Sequence, residues 1–490
     1  MTVKQESFSR PADRRLELDR DARLRALSET ERDLLRVVGA DGFERWLQQI
    51  QRIGGCAHPI YLAGHTITYD KATGEVLRRY DTQEEPGGRL AVRCRNRRET
   101  RCGPCSRLHA GDTYHLVRAG LAGGKGTPPT VRGHPRLFVT LTAPSFGPVH
   151  HIDKGGGPCR PRRGGGECEH GRPVECRAVH AAGDARLGQP LCPDCYDYVG
   201  HVLWNAHAGR LWNRFCGGVR RLAASANGIP QSRLREHAML SFTKVAEYQL
   251  RGAIHFHAVI RLDGSGGPKD SPPEWGGSAF LEEIVRQAAP RIAVTSPYSP
   301  AVGERVLRWG KEMDVHPITS SSDDGSPMTD DKIAAYVAKY VGKSVGDVHG
   351  TDHVIGSAGE IALLSVTEHV RTLMLTCWRL GELPEMEPLR LQAWAHALGS
   401  GGHVLTKSRA YSTTYGELRA ARAGHAAEED GGDLAQGDTA AESNWSYVGS
   451  GHTLAESEIA AGIADDIAQL REIARDLTEP GSRFELRAPI

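Results

Sequence analysis

The sequence predicts an α+β protein in which helices flank an antiparallel sheet. Three stretches support this. "RLFVTLTAP", residues 136–144, has the β-branched and aromatic residues of a strand and ends on a proline. "HAMLSFTKVAEYQLRGAIHFHAVIRLD", residues 237–263, predicts a β-hairpin that turns near Arg251 and Gly252. "MTDDKIAAYVAKYVGKSV", residues 328–345, predicts a helix with Thr329 as its N-cap.

The other segments complete this order of elements. Leucines at rough helical spacing predict helices within residues 14–50, and amphipathic patterns predict helices at 196–226 and 278–294. "RVLRWGKEMDVHPI", which begins at Arg305, is strand-like. We therefore expect four regions in the chain: an N-terminal helical region (1–53), a Cys/Arg-rich region (54–135), the α+β domain with a Cys-rich insertion at 147–195 (136–423), and an acidic flexible tail with a short helix (424–490).

Composition limits the class of protein. The chain has 490 residues, of which 39% are hydrophobic and 25% charged, as in a globular protein with some flexible segments. It contains no run of about 18 apolar residues, so we expect no membrane span. The N-terminus "MTVKQESFSRPADRRLELDR" is too polar for a secretory signal. We therefore expect a cytoplasmic protein.

The net charge of +1 conceals a strong asymmetry. Residues 88–136 hold eleven Lys and Arg against two acids, whereas residues 428–490 hold fourteen acids against four Lys and Arg. A basic segment of this kind is typical of a surface that binds a polyanion, and an ordinary solvated surface is the alternative.

The hairpin contains a pattern that suits a metal ion. His255 and His257 alternate along one strand, so their side chains share a face. Glu247, across the turn, falls roughly opposite them. Two imidazoles and a carboxylate could form a site with open positions, in which histidine ligands favour Mn²⁺ over Mg²⁺. The alternative is a pair of ordinary surface or core histidines.

The helix carries Tyr-x-x-Lys twice, as Tyr336 with Lys339 and Tyr340 with Lys343. Residues four apart are neighbours on a helix, so both tyrosines could reach one substrate atom in alternation. A tyrosine hydroxyl can attack phosphorus when a cation withdraws charge from the phosphate, and a lysine can stabilise the developing charge. Aromatic packing with outward-pointing lysines is the alternative.

Together the hairpin and the helix resemble the HUH endonuclease superfamily, in which His-hydrophobe-His binds the metal and a Tyr-x-x-Lys helix carries the nucleophile. "YVAKYVGK" resembles the two-tyrosine branch, and Glu247 occupies the position of the third metal ligand in related initiators. The segments "LCPDCYDYVGHVLWNAHAGRLWNRF", "EYQLRGAIHFHAVIRLD", "AAYVAKYVGKS" and "TKSRAYSTTYGELR" are similar to replication initiators of actinobacterial rolling-circle plasmids and integrative elements. The resemblance covers roughly residues 50–420 and implies an HUH-type nuclease domain at 136–423.

Eleven cysteines in a cytosolic chain suggest metal rather than disulfides. Their spacing predicts two structural zinc sites of four cysteines each, with Cys159, His170 and His180 near the second. The predicted ligands are Cys56, Cys94, Cys102 and Cys105 in the first set and Cys168, Cys176, Cys192 and Cys195 in the second. Reduced free thiols are the alternative. Because the first set lies in the basic segment, we expect DNA contacts there from Arg95, Arg97, Arg98 and Arg101.

The expected function is therefore rolling-circle initiation. The protein would nick one strand of origin DNA, hold the 5′ end as a phosphotyrosine and release a 3′-OH that primes a host DNA polymerase. No Gly-x-x-x-x-Gly-Lys-Ser/Thr pattern occurs, so a host helicase would be needed. The alternatives are a conjugative relaxase or HUH transposase with the same chemistry, and a non-catalytic, zinc-stabilised DNA-binding regulator.

Overall fold

The structure is a computed structural model that describes residues 26–153, 155–159, 165–318, 329–342, 351, 353–429 and 439–478. Within these ranges the helices are α1 Glu29–Val38, α2 Phe43–Arg52, α3 Gly103–Ala122, α4 Tyr198–Ala226, α5 Ser278–Arg291, α6 Asp330–Gly342, α7 Ala358–Leu363, α8 Glu368–Leu380, α9 Tyr415–Glu429 and α10 Leu454–Thr478. The strands are β1 Ile60–Asp70, β2 Val76–Asp81, β3 Leu90–Val92, β4 Arg136–Leu141, β5 Ala238–Tyr248, β6 Ile254–Gly264, β7 Ala293–Thr295, β8 Val306–Arg308, β9 Met313–Pro317, β10 Leu405–Lys407 and β11 Thr439–Ser450. None of the helices in these ranges is long and apolar enough to cross a bilayer.

The chain divides into two units, a first made of Met1–Leu108 with Ala427–Ile490 and a second made of His109–Ala426. This division differs from the four predicted regions because β11 pairs with β1, and α10 packs on the same core as α2. The sheet of the first unit has the order β11-β1-β2, with β3 also paired to β1.

The predicted acidic tail contains the expected short helix, α10, but strand β11 corrects the expectation of a flexible segment at residues 439–450. This strand pairs antiparallel with β1 from Ile60 opposite Ser450 to Asp70 opposite Thr439. After it, α10 packs Ala460 against the core formed by Trp46, Ile50 and Tyr61. Gly55 adopts a positive φ of 65°, and a Cβ there would collide with the α10 backbone at Ala460. The segment looks like a linker because small and acidic residues dominate it, and its partner strand lies at the other end of the chain.

The second unit contains an antiparallel five-stranded sheet of order β10-β5-β6-β4-β9, as well as the two-stranded β7-β8 sheet. Its architecture of helices around an antiparallel sheet is the predicted mixed class. The β5–β6 hairpin forms where the sequence predicts it, with Glu247 paired to His255 across the turn. Strand β4 lies between β6 and β9, so the hairpin is central in the sheet.

Two hydrophobic clusters cover the two faces of this sheet. On one face, Ile254, Phe256 and Ala258 pack with residues of α4, α5 and α8, including Trp212. On the other, Phe138, Val245 and Val259 pack with α3 and α6. Because successive residues of a strand point to opposite faces, the histidines of β6 lie on the side of α6.

The start of α6 is anchored to the sheet. Thr329 Oγ1 accepts a hydrogen bond from the amide of Lys332 at 3.3 Å, which is the predicted N-cap. Asp330 pairs with the buried Arg136 of β4 at 2.7 Å, and Asp331 pairs with Arg118 of α3 at 2.6 Å. These ion pairs hold the tyrosine-bearing helix over the hairpin.

Candidate active site and metal centres

The hairpin brings Glu247, His255 and His257 to one point. Glu247 Oε2 lies 2.8 Å from His255 Nε2 and 2.9 Å from His257 Nε2. Ligands bonded to one divalent ion at about 2.1 Å are themselves separated by about 3 Å, so the donor atoms fit such an ion. Three protein ligands leave positions open for substrate.

The charges of these groups suit a metal as well. Burial by itself raises the pKa of the Glu247 carboxyl, but hydrogen bonds with His255 and His257 outweigh it and lower the pKa to about 2. Burial lowers the pKa of His257 despite its bond with Glu247. The carboxylate is therefore ionised and the His257 imidazole neutral at neutral pH, and these are the forms that bind metal.

Sequence reasoning missed Thr140, which orients His257. Thr140 on β4 is paired with His257, and its Oγ1 lies 3.0 Å from His257 Nδ1. This contact occupies Nδ1 and leaves Nε2 directed at Glu247, as outer hydrogen bonds do for metal-binding histidines. Asp314 on β9 is the next residue in the same row, opposite Thr140. Alternation along "RLFVTLT" marks the face of Thr140 but not its histidine partner, because the pairing of β4 with β6 is not local.

The two tyrosines of α6 lie beside the histidines. Tyr336 Oη is 3.2 Å from His257 Nε2, and the ring centroids of Tyr336 and Tyr340 are 4.7 Å apart. The Tyr340 ring stacks on His257 with centroids 5.7 Å apart. Tyr336 keeps 37% of its surface exposed. Lys339 is exposed on the same helix, and Lys343 lies outside the described residues.

The phenol of Tyr336 is held in its neutral form. Burial, a hydrogen bond with Tyr340 and the negative charge of Glu247 all raise the pKa of Tyr336. The cation for which the adjacent ligands are suited would counter this effect, because a positive charge near the hydroxyl favours the phenolate.

The predicted first set of cysteines forms one cluster in the first unit. The sulfur of Cys56 lies 3.8 Å from that of Cys102 and 3.6 Å from that of Cys105, and Cys94 completes the group. A tetrahedral zinc with bonds of about 2.3 Å separates its sulfur ligands by about 3.8 Å, so the cluster fits. Arg95, Arg97, Arg98 and Arg101 lie in the loop between Cys94 and Cys102, away from regular structure.

The predicted second set is corrected by the structure. Cys168, Cys192 and Cys195 cluster with His170, whereas Cys176 clusters with His150, Cys159 and His180. The segment between these residues has almost no regular structure, so no periodicity in the sequence indicates which donors meet. The sequence places Cys159, His170 and His180 near this set, and His150 is the one donor of these groups that it does not indicate. These Cys/His clusters could hold zinc-like metals.

Comparison with known proteins shows the family of the chain. The family model described as "RepSA: Replication initiator protein, pSAM2" matches residues 42–465. A curated "Replication initiator protein" of Streptomyces ambofaciens is 46% identical over 454 residues, which cover 91% of this chain and 95% of that protein. No solved structure matches the chain. The chain therefore belongs to the RepSA family of replication initiators, proteins whose role implies binding to DNA.

Proposed function

We propose that this replication initiator starts rolling-circle synthesis by cutting one strand of its origin with a tyrosine. The observation that carries the proposal is the 3.2 Å separation between Tyr336 Oη and His257 Nε2, because the hydroxyl then lies beside three side chains that suit a metal ion. Tyr336 is also partly exposed, so a DNA strand can reach it.

Glu247, His255 and His257 would hold Mn²⁺ or Mg²⁺. When bound there, the ion would polarise the scissile phosphate and stabilise the negative charge that develops on it. The Tyr336 oxygen forms a bond to phosphorus while the bond from phosphorus to the 3′ oxygen breaks. The phenol proton passes to solvent, and the departing 3′ oxygen takes a proton from water. The products are a 5′-phosphotyrosine and a free 3′-OH.

The second tyrosine serves the second cut. After the first transfer Tyr336 is esterified to DNA and cannot act again, whereas Tyr340 lies one helical turn away and against the same histidine. It can attack the regenerated origin while the first strand stays bound. Lys339, and Lys343 in the second motif, would stabilise the developing charge. The free 3′-OH would prime a host polymerase, with a host helicase opening the duplex.

The remaining predicted sites support DNA binding. The cluster of Cys56, Cys94, Cys102 and Cys105 would bind a structural zinc that fixes the arginine-rich loop between its second and third cysteines. The positive charge of Arg95, Arg97, Arg98 and Arg101 suits contacts with phosphates.

Mapping of the covalent adduct tests the proposal. The full chain is incubated with Mn²⁺ and tiled single-stranded oligonucleotides from its own replicon, and adducts are separated on a denaturing gel. We expect Tyr336→Phe and Tyr340→Phe each to retain some cleavage and the double variant to form no adduct. Tyr298→Phe, which removes an exposed hydroxyl elsewhere in the second unit, should behave like wild type.

Each other outcome has a definite meaning. No adduct with wild-type protein on any oligonucleotide, despite DNA binding, would favour the non-catalytic regulator. DNA found on one tyrosine alone, with the other changed to Phe and replication intact, would overturn the two-nucleophile mechanism.

A further inference from the structure

The insertion at 147–195 contains two groups of metal donors, and the groups alternate along the chain. The first group is His150, Cys159, Cys176 and His180, and the second is Cys168, His170, Cys192 and Cys195. The first and third pairs of donors thus meet in one place, and the second and fourth pairs meet in another.

The first group has the close contacts of a ligand set. His180 Nε2 lies 3.2 Å from His150 Nδ1 and 3.4 Å from Cys176 Sγ. Cys159 is fully buried, and its sulfur accepts a hydrogen bond from the amide of His151 at 3.4 Å. Two sulfurs and two imidazole nitrogens in this arrangement match a tetrahedral Cys₂His₂ zinc site.

A carboxylate behind the first group provides independent evidence for a metal. Asp184 Oδ2 lies 2.6 Å from His180 Nδ1 and is itself held by Arg186 at 2.8 Å. A carboxylate on one ring nitrogen fixes the proton there and directs the lone pair of the other nitrogen inward. This is the usual support of a zinc-binding histidine.

The second group is equally close. His170 Nδ1 lies 3.2 Å from Cys195 Sγ and 3.7 Å from Cys192 Sγ. The sulfur of Cys168 lies within 4.8 Å of the other three donor atoms. Three sulfurs and one nitrogen match a Cys₃His zinc site.

We propose that residues 150–195 bind two zinc ions through these interleaved pairs of ligands, so that the whole chain binds three. Binding at the first site closes the loop from Cys159 to Cys176, which contains Cys168 and His170. Binding at the second closes the loop from His170 to Cys192, which contains Cys176 and His180. Each ion therefore shortens the loop that the other must close, which lowers the entropic cost of its binding.

The insertion is also tied to the catalytic hairpin. The amide of His150 donates to the carbonyl of Gln189, and the amide of Gly188 donates to the carbonyl of His150, so the two ends of the insertion are paired. Gly188 has a φ of 81°, and a Cβ there would collide with the backbone of Leu250 in the β5–β6 turn. The zinc sites thus support the turn that separates Glu247 from His255.

Zinc content and thiol protection test the proposal. Full-length protein purified without chelator should hold three zinc ions, and Cys159, Cys168, Cys176, Cys192 and Cys195 should resist alkylation until a chelator is added. With graded chelator, these five thiols should become reactive together. The buried Cys216 and Cys377, which lie outside the donor groups found in the described residues, should stay protected as long as the core is folded.

Replacing a metal ligand could prevent folding, so two further variants that keep every ligand are also tested. Asp184→Asn retains all eight donors and should weaken zinc binding at the first site by about 10–100-fold. Arg177→Gln, a change at an exposed arginine beside Cys176, should leave zinc affinity unchanged. Two zinc ions per chain, with Cys159 and Cys176 reactive before chelation, would overturn the proposal. Release of the two ions in separate, independent steps would overturn the interleaved coupling.

Discussion

Alternate residues of the β5–β6 hairpin serve the two faces of the sheet differently. On β6, His255 and His257 point toward the tyrosine helix α6, whereas Ile254, Phe256 and Ala258 point into the core under α4 and α5. Glu247 and His255 keep 21% and 16% of their side chains exposed, while the three apolar residues are buried. Apolar side chains pack on both faces, but only the face toward α6 also holds the hydrogen-bonded group of Glu247, His255 and His257. Function and stability should therefore be separable at adjacent positions.

The largest effect should come from His257→Ala. Loss of this proposed metal ligand next to Tyr336 should reduce adduct formation by at least about 10⁴-fold, while the free energy of unfolding changes by only about 1 kcal/mol. Adduct formation and oligonucleotide affinity are measured on the same preparation. His237→Ala, at an exposed histidine, serves as the matched control. Metal-dependent cleavage that persists in His257→Ala would rule out this metal site.

Phe256→Ala should have the opposite profile. Phe256 is 3% exposed and lies between Trp212 and Trp309, at centroid distances of 5.9 and 5.8 Å. Its truncation should destabilise the sheet by about 3–5 kcal/mol. Hydrogen exchange of the β5 and β6 amides measures this free energy in the full chain. Protein that remains folded should still form the adduct, and a loss of chemistry in folded Phe256→Ala would show that the two faces are not separable.

Lys244 is the exception on the core face, and its removal should stabilise the protein. Burial lowers the pKa of Lys244 to about 8, although its Nζ lies 3.9 Å from the centre of the Phe256 ring. The unfolded chain keeps this proton up to about pH 10.5, whereas the folded chain loses it near pH 8. The free energy of unfolding therefore rises between pH 8 and 10.5, and the full destabilisation by the buried charge is present below pH 8. Lys244→Met should gain about 2–3 kcal/mol at pH 7 and lose that advantage above pH 10. Urea unfolding of both proteins at several pH values measures this difference in stability. A difference that does not change with pH would contradict the prediction.

The smallest effect should come from charges outside the sheet. Changing Arg95, Arg97 and Arg98 to Ala should reduce the slope of log affinity against log salt by about 2, because each lost phosphate contact on single strands contributes about 0.7. The matched triple change to Lys keeps the charges and should keep the slope. Cleavage of saturating oligonucleotide should stay the same in both. An unaltered slope in the Ala variant would place the DNA elsewhere.

The sequence predicted which side chains lie together where those residues are close in the chain. One hairpin sets the register of Glu247, His255 and His257, so the sequence predicts that they meet. One helical turn separates Tyr336 from Tyr340, so the sequence predicts that these two are neighbours. Cys176 could not be assigned to its partners, because the insertion lacks a repeating geometry. The contact of Thr140 with His257 requires the pairing of β4 with β6, and strand β11 forms only by pairing with β1. No local pattern in the sequence specifies either pairing.

The pairing of β11 with β1 also has a consequence for synthesis. Residues 60–70 leave the ribosome long before residues 439–450, and the whole of the second unit is translated between them. Domains generally fold as they emerge, so the unit that carries the tyrosines can fold before the other sheet gains its last strand. During that time the backbone groups of β1 that pair with β11 have no strand partner on that side. A message truncated after residue 426 would thus yield a chain with Glu247, His255, His257 and the two tyrosines but an incomplete first sheet.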